Sequence, residues 1–127
     1  MKRLLLVFVF GGFGSGARYL LGGWVAQLAG SVFPYGTLAV NALGSFVIAL
    51  VMYLSLTANL IGPDWRLALT TGVCGGFTTY STFNYETIAL FQNGAWLLGG
   101  LNILGTVALC LATGGLGLGV ARWIAGS

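Results

Sequence analysis

Long apolar stretches, punctuated by short polar joints that carry proline or glycine, divide this chain into four blocks at about residues 4–28, 36–57, 66–91 and 96–124. Each is long enough to cross a bilayer core of ~30 Å as a helix, which takes about 20 residues. The joints are short: residues 29–35 with the Phe33-Pro34-Tyr35-Gly36 turn, residues 58–65 and residues 92–95. Trp24, Trp65, Trp96 and Trp123 all fall near block ends, where amphipathic rings favour the membrane interface. The pattern predicts an all-α membrane protein, with one four-helix transmembrane domain over residues 1–127.

Composition removes the competing classes. Only 6% of the residues are charged and 57% are hydrophobic, against roughly a quarter charged in ordinary globular chains. Between Arg18 and Asp64 lie 45 residues without a charge, and between Glu86 and Arg122 another 35. A soluble domain of this size could not cover its surface with so few charges. Five scattered bases and a net charge of +3 form no patch for nucleic acid. There is no histidine, and Cys74 and Cys110 lie inside apolar runs without CxxC spacing, so zinc sites and Ser-His-Asp or Cys-His nucleophiles lack their parts. The two acids are Asp64, in the turn after Gly62-Pro63, and Glu86; that placement does not make an acid/base pair. The chain is not expected to be an enzyme.

The start, Lys2-Arg3 followed by Leu4–Phe10 and then Ser15-Gly16-Ala17, imitates a cleaved signal peptide. Cleavage would take a helix from a chain with no soluble domain to export, so the stretch is read as the first membrane helix. With both termini on one side, Lys2, Arg3, Arg66 and Arg122 share that side and the opposite joints carry no base, which favours cytoplasmic termini. Glycine supplies 22 of 127 residues and recurs as the pairs Gly12/Gly16, Gly72/Gly76 and Gly115/Gly119. In lipid, small faces let helices approach closely, either within one subunit or between copies. Four thin helices hardly enclose a permeation path, so a homo-oligomer is expected.

The third block contains the chain's densest polar cluster: Gly75-Gly76 is followed by Thr78, Thr79, Ser81 and Thr82. Adjacent glycines and hydroxyls that bond the backbone weaken a helix, which predicts a break near the middle of the membrane. Exposed backbone is tolerated at that depth where it lines a cavity or binds something. Unwound carbonyls suit a small hard cation and half-helix N-termini an anion; the other reading is a kink that serves packing. Asn41 is an isolated amide in the second block, and Asn102, Thr106, Cys110 and Thr113 share one face of the fourth. Uncharged donors such as these can bind a small anion and release it, or serve as hydrogen-bond glue between helices. Tyr80 and Phe83, three apart, bring electropositive ring edges to the same region.

Three motif blocks in order make the chain similar to the Fluc (CrcB-type) fluoride channels. They are Gly11-x-x-Gly14-x-x-x-Arg18-Tyr19, the run Pro34–Asn41 with Gly44-Ser45-Phe46, and Gly72–Phe83 with Glu86. The resemblance implies an antiparallel, dual-topology homodimer in the plasma (inner) membrane that exports cytoplasmic fluoride passively. It implies broken third helices crossing at the centre, with a structural Na⁺ caged by the backbone carbonyls of Gly75 and Thr78. It implies fluoride pathways along the subunit interface over Asn41, Tyr80, Ser81, Thr82, Phe83, Thr106 and Cys110, with Arg18 in an aqueous vestibule. Tyr80 stands where the family has phenylalanine, and Cys110 where it has a hydroxyl. A small proton-coupled multidrug exporter is the rival of similar size, but it needs an acid in the first helix, which here carries Arg18 and none.

Overall fold

The computed structural model describes residues 1–126. The elements in order are α1 (Lys2–Ala29), α2 (Tyr35–Leu56), α3 (Pro63–Leu67), a π-helical stretch (Ala68–Cys74), α4 (Gly75–Phe77), α5 (Tyr80–Gln92) and α6 (Trp96–Ala125). Among the described residues there is no strand. Helices α1, α2 and α6 are each long and apolar enough to cross a membrane. The third block is the divided one: its backbone stays helical from Pro63 to Phe77, extends at Thr78 and Thr79, and resumes as α5.

Local chemistry sets the ends. Gly30 closes α1 at φ 84°, a left-handed angle that costs glycine nothing. Pro63 opens the third block three residues earlier than expected, because the first helical turn has no use for the missing N–H and proline's φ is already helical. Asp64 in that first turn faces the positive end of the helix dipole.

Packing depends on close backbone approach more than on large side chains. A Cβ at Gly14 would strike the Val73 carbonyl, one at Gly76 would strike the Gly11 carbonyl, and one at Gly72 would come within 2.8 Å of Phe10 Cβ. Helix α1 therefore lies backbone to backbone against the π-helical stretch and α4. On the other side α2 runs along α6, where Thr113 Oγ1 donates to the Ala42 carbonyl at 2.8 Å. Helix α5 leans on α6 through Asn102, whose Nδ2 donates to Thr87 Oγ1 at 2.8 Å. Most large apolar side chains, among them Phe8, Phe13, Leu20, Leu104 and Leu111, point outward. That is the arrangement lipid, and not water, permits.

The break falls inside the polar stretch expected to carry it. Gly75 and Gly76 are themselves helical, and Gly76 serves contact with α1. The break lies at Thr78–Thr79. Of the three glycine pairs, Gly72/Gly76 packs on α1, whereas Gly12, Gly16, Gly115 and Gly119 have nothing within 4 Å and face outward.

Candidate functional site

The site grows from the two extended residues. Thr78 has φ −86° and ψ 157°, and Thr79 φ −149° and ψ 115°. A break in lipid leaves backbone groups that must find partners, and side chains from two other helices supply them. Asn41 of α2 grips Thr79 on both sides: its Oδ1 accepts the Thr79 N–H at 2.8 Å, and its Nδ2 donates to the Thr79 carbonyl at 3.0 Å. The amide thus imitates a neighbouring strand for one residue. Thr79 Oγ1 then caps α5 by accepting the Thr82 N–H at 3.2 Å, and donates to Thr82 Oγ1 at 3.0 Å. From α1, Arg18 Nε donates to the Gly76 carbonyl at 3.1 Å, with Ser15 Oγ at 3.5 Å. A cation there complements the carbonyl end of the preceding helical turns.

Two carbonyls come out of this exchange without their helical donors. The Thr79 N–H, which would serve Gly75 O, goes to Asn41. The Thr82 N–H, which would serve Thr78 O, goes to Thr79 Oγ1. These belong to the residues expected to bind a cation, Gly75 and Thr78. At α5, the start of a helix leaves the first N–H groups, those of Tyr80 and Ser81, free for an acceptor. Among the described residues no cluster of three His, Cys, Asp or Glu side chains could hold a metal, so backbone oxygen is what the break offers a cation.

The break separates two cavities, and Thr79 lines both. One, of about 680 Å³, holds Asn41, Tyr80, Phe83, Thr106 and Cys110 together with Gly75 and Thr78. Tyr80 and Phe83 meet edge to face, with ring centroids 5.8 Å apart. The other, of about 530 Å³, holds Arg18, Thr82 and Glu86. Five of the seven expected pathway residues thus share one cavity. Thr82 opens on the Arg18 side instead, and Ser81 is exposed and lines neither cavity. A helix turn of 100° per residue sends neighbouring side chains to different faces, so a contiguous run in sequence cannot remain one track in space.

On α6 the expected polar face divides. Thr106 and Cys110 line the larger cavity, while Asn102, 2% exposed, and Thr113 are spent on interhelical hydrogen bonds. Sequence reasoning missed Thr79, the residue on which both cavities meet. Its signal was the Thr79-x-x-Thr82 spacing of a helix cap. It also left Glu86 without a place: the carboxylate lines the Arg18 cavity, and its Oε1 is buried with no hydrogen-bond partner among the described residues.

Comparison with known sequences identifies the family. The profile of the family described as "CrcB-like protein, Camphor Resistance (CrcB)" matches residues 5–118. The chain belongs to the CrcB family. The matched span contains all three motif blocks. Among curated CrcB relatives, the chain is 49% identical over 122 residues to the fluoride-specific ion channel FluC of Geobacter sulfurreducens, covering 96% of this chain and 98% of that one. It is 49% identical over 126 residues to the protein of that name from Anaeromyxobacter dehalogenans, covering 99% and 100%. Against the Geotalea daltonii protein the figures are 44% over 124 residues, 98% and 100%. With its apolar helices, this CrcB chain is a multi-pass integral membrane protein.

Proposed function

We propose that the chain is a fluoride-selective channel, not an enzyme, that lets cytoplasmic fluoride leave passively through the plasma membrane. The observation that carries the reading is near-full-length identity of 44–49% to proteins named as fluoride-specific ion channels. The larger cavity gives it a physical basis. Fluoride is small and strongly hydrated, so a pore must replace water with donors. An amide nitrogen carries two hydrogens; Asn41 gives one to Thr79 and keeps one for the cavity. The ring edges of Tyr80 and Phe83 and the free Tyr80 N–H add donors of no fixed charge, which bind without trapping; the Thr106 hydroxyl donates to Asn102 Oδ1 at 3.4 Å and joins them only by turning from it. The Cys110 thiol is a weaker donor than a hydroxyl. The smaller cavity pairs the Arg18 cation with the Glu86 carboxylate and the Thr82 hydroxyl, an aqueous approach without net charge.

A structural Na⁺ fits the chemistry of the break, since the Gly75 and Thr78 carbonyls have given up their helical donors and hard oxygens suit a hard cation. Bound there, it would offset negative charge in the pathway. Antiparallel pairing of two copies would complete the pathways, and the outward faces favour a partner: Tyr80 is 77% exposed beside the break, and Gly12 and Gly16 leave α1 open to close approach.

The test is efflux from liposomes holding the purified chain, fluoride against chloride. Rapid loss of fluoride with chloride retained is expected. Equal rates for the two halides, or none above empty liposomes, would overturn the reading. Replacing all Na⁺ by a large organic cation is expected to suppress fluoride efflux; undiminished efflux would remove Na⁺ from the break.

A further inference from the structure

The chain has two cysteines in all, and the fold brings both to one place. Cys74 closes the π-helical stretch and Cys110 lies on α6. Both are free thiols, and both line the larger cavity. One turn of α2 ties their positions together. Next to Cys74, Thr78 Oγ1 donates to the Cys74 carbonyl at 2.9 Å, and the Thr78 methyl packs so closely on α2 that a Cβ at Gly44 would strike it. Next to Cys110, Thr113 Oγ1 donates to the Cys110 carbonyl at 3.2 Å and to the Ala42 carbonyl at 2.8 Å. The two cysteines are thus anchored by way of residues 42–44 and open on the same space.

Their chemistry selects the kind of guest. Cys74 is 4% exposed and Cys110 half-buried. Thiolate sulfur takes soft cations, whereas hard ones take oxygen. Among the described residues no third His, Cys, Asp or Glu joins them, so a tetrahedral zinc set is lacking and the pair fits a cation content with two ligands. Charge narrows the choice. A monovalent soft cation between two thiolates leaves a negative charge inside the membrane, where charge is costly; a divalent one such as mercuric ion leaves none. We propose that the larger cavity is a soft-metal site, in which the thiols of Cys110 and Cys74 are the two ligands of one divalent soft cation of the mercuric type, and that metal bound there closes the pathway to fluoride. Each thiol releases its proton to water as its sulfur takes the metal, so two S–H bonds break, two sulfur–metal bonds form and no electron changes hands. Cys110 is the ligand on the path, one turn from Thr106 on α6, and metal on its sulfur occupies space that fluoride must cross. Binding stands on the two thiols alone; the closure rests on the channel reading above.

Two measurements on the full chain test this. Mass spectrometry of the intact protein after mercuric chloride is expected to show one mercury per chain with two protons lost. Because two thiols on one scaffold hold a metal by effective concentration, that mercury should survive an excess of the monothiol 2-mercaptoethanol. Cys74→Ala and Cys110→Ser should each lose it to the same monothiol. Two mercury ions on the unaltered chain, or one that either variant retains, overturns the site, and so does equal retention of zinc. The closure is read as fluoride efflux from liposomes with and without mercuric chloride, the monothiol present throughout and each protein compared with its own metal-free rate. The unaltered chain should lose its efflux and regain it with a dithiol chelator, whereas Cys110→Ser should lose none of its own. Persistent block in Cys110→Ser, or undiminished efflux from the mercury-loaded unaltered chain, overturns the closure. A chain that conducts no fluoride would still hold one mercury, so failure of the channel reading and failure of this site show separately.

Discussion

At the residue scale Asn41 does two things that one substitution can separate. Both of its amide heavy atoms are committed to Thr79, so it shapes the break as well as facing the larger cavity. In Asn41→Asp one carboxylate oxygen still accepts the Thr79 N–H, but the other meets the Thr79 carbonyl as a second acceptor, and the hydrogen left for the anion is gone. Fluoride efflux is expected to vanish and Tm to fall, since a buried carbonyl left without a donor costs about 1–3 kcal/mol. Retained efflux would take Asn41 out of the pathway, and an unchanged Tm would deny the clamp. Phe83 has no hydrogen-bonding side chain and meets Tyr80 at its edge. Phe83→Ile keeps the bulk and removes the electropositive edge, so efflux should drop about fivefold, the rate equivalent of roughly 1 kcal/mol of ring-edge interaction. An unchanged rate in a correctly assembled variant would make that ring packing only.

At the element scale the four blocks were legible because lipid imposes a length and a composition on anything that crosses it. What was not legible was which side of each helix faces which neighbour. A helix apolar all round carries no stripe to read, so the glycines could be counted but not assigned: Gly12 and Gly14 look alike in sequence, yet one faces open space and the other the Val73 carbonyl. The polar cluster marked the break but not the two residues at which it opens. Two glycines weaken a helix in water, but in lipid the backbone keeps its own hydrogen bonds unless another group takes them over, and here Asn41 and the Thr79 hydroxyl do so one turn later. Contrasting variants test the assignment. Gly76→Ala puts a Cβ against the Gly11 carbonyl and within 3.0 Å of the Ser15 N, so Tm should fall by the equivalent of about 1–3 kcal/mol, the usual range for overpacking. Gly105→Ala, with nothing within 4 Å, should leave Tm unchanged or slightly raised, since alanine is the better helix former. Equal effects would contradict the way α1 is packed.

At the scale of the whole molecule, α1 and the third block touch from the membrane surface to its middle. Lys2 and Arg3 meet Asp64, Phe10 meets Trp65 edge to face at 5.8 Å, Gly14 meets Val73, and Arg18 meets the Gly76 carbonyl. The series ends in water at one side and at the break on the other, so its outer rung can be loosened while the inner ones are kept. Asp64 is the group to use. Its carboxyl is held below the ordinary carboxylate range, first by the hydrogen bond from Lys2, with Arg3 adding to it and desolvation opposing. A carboxyl whose pKa is lowered by folding contributes its stability above the unfolded value, about 3.9, and loses it as pH falls through the lower folded one. Acidification from pH 5 through that window should therefore lower the protection of the Leu5 amide and its neighbours in the second turn of α1, measured against the intrinsic exchange rate at each pH, and high salt at pH 7 should do the same because an exposed pair is screened. Protection around Gly76 and Thr79 should stay as it was, since neither the Arg18 contact nor the Asn41 contact includes a carboxyl. Asp64→Asn should show the low protection at every pH and lose its dependence on acid. If acid instead loosens both ends together, α1 and the third block come apart as one unit, and the hold on the break is no firmer than the ion pair at the surface.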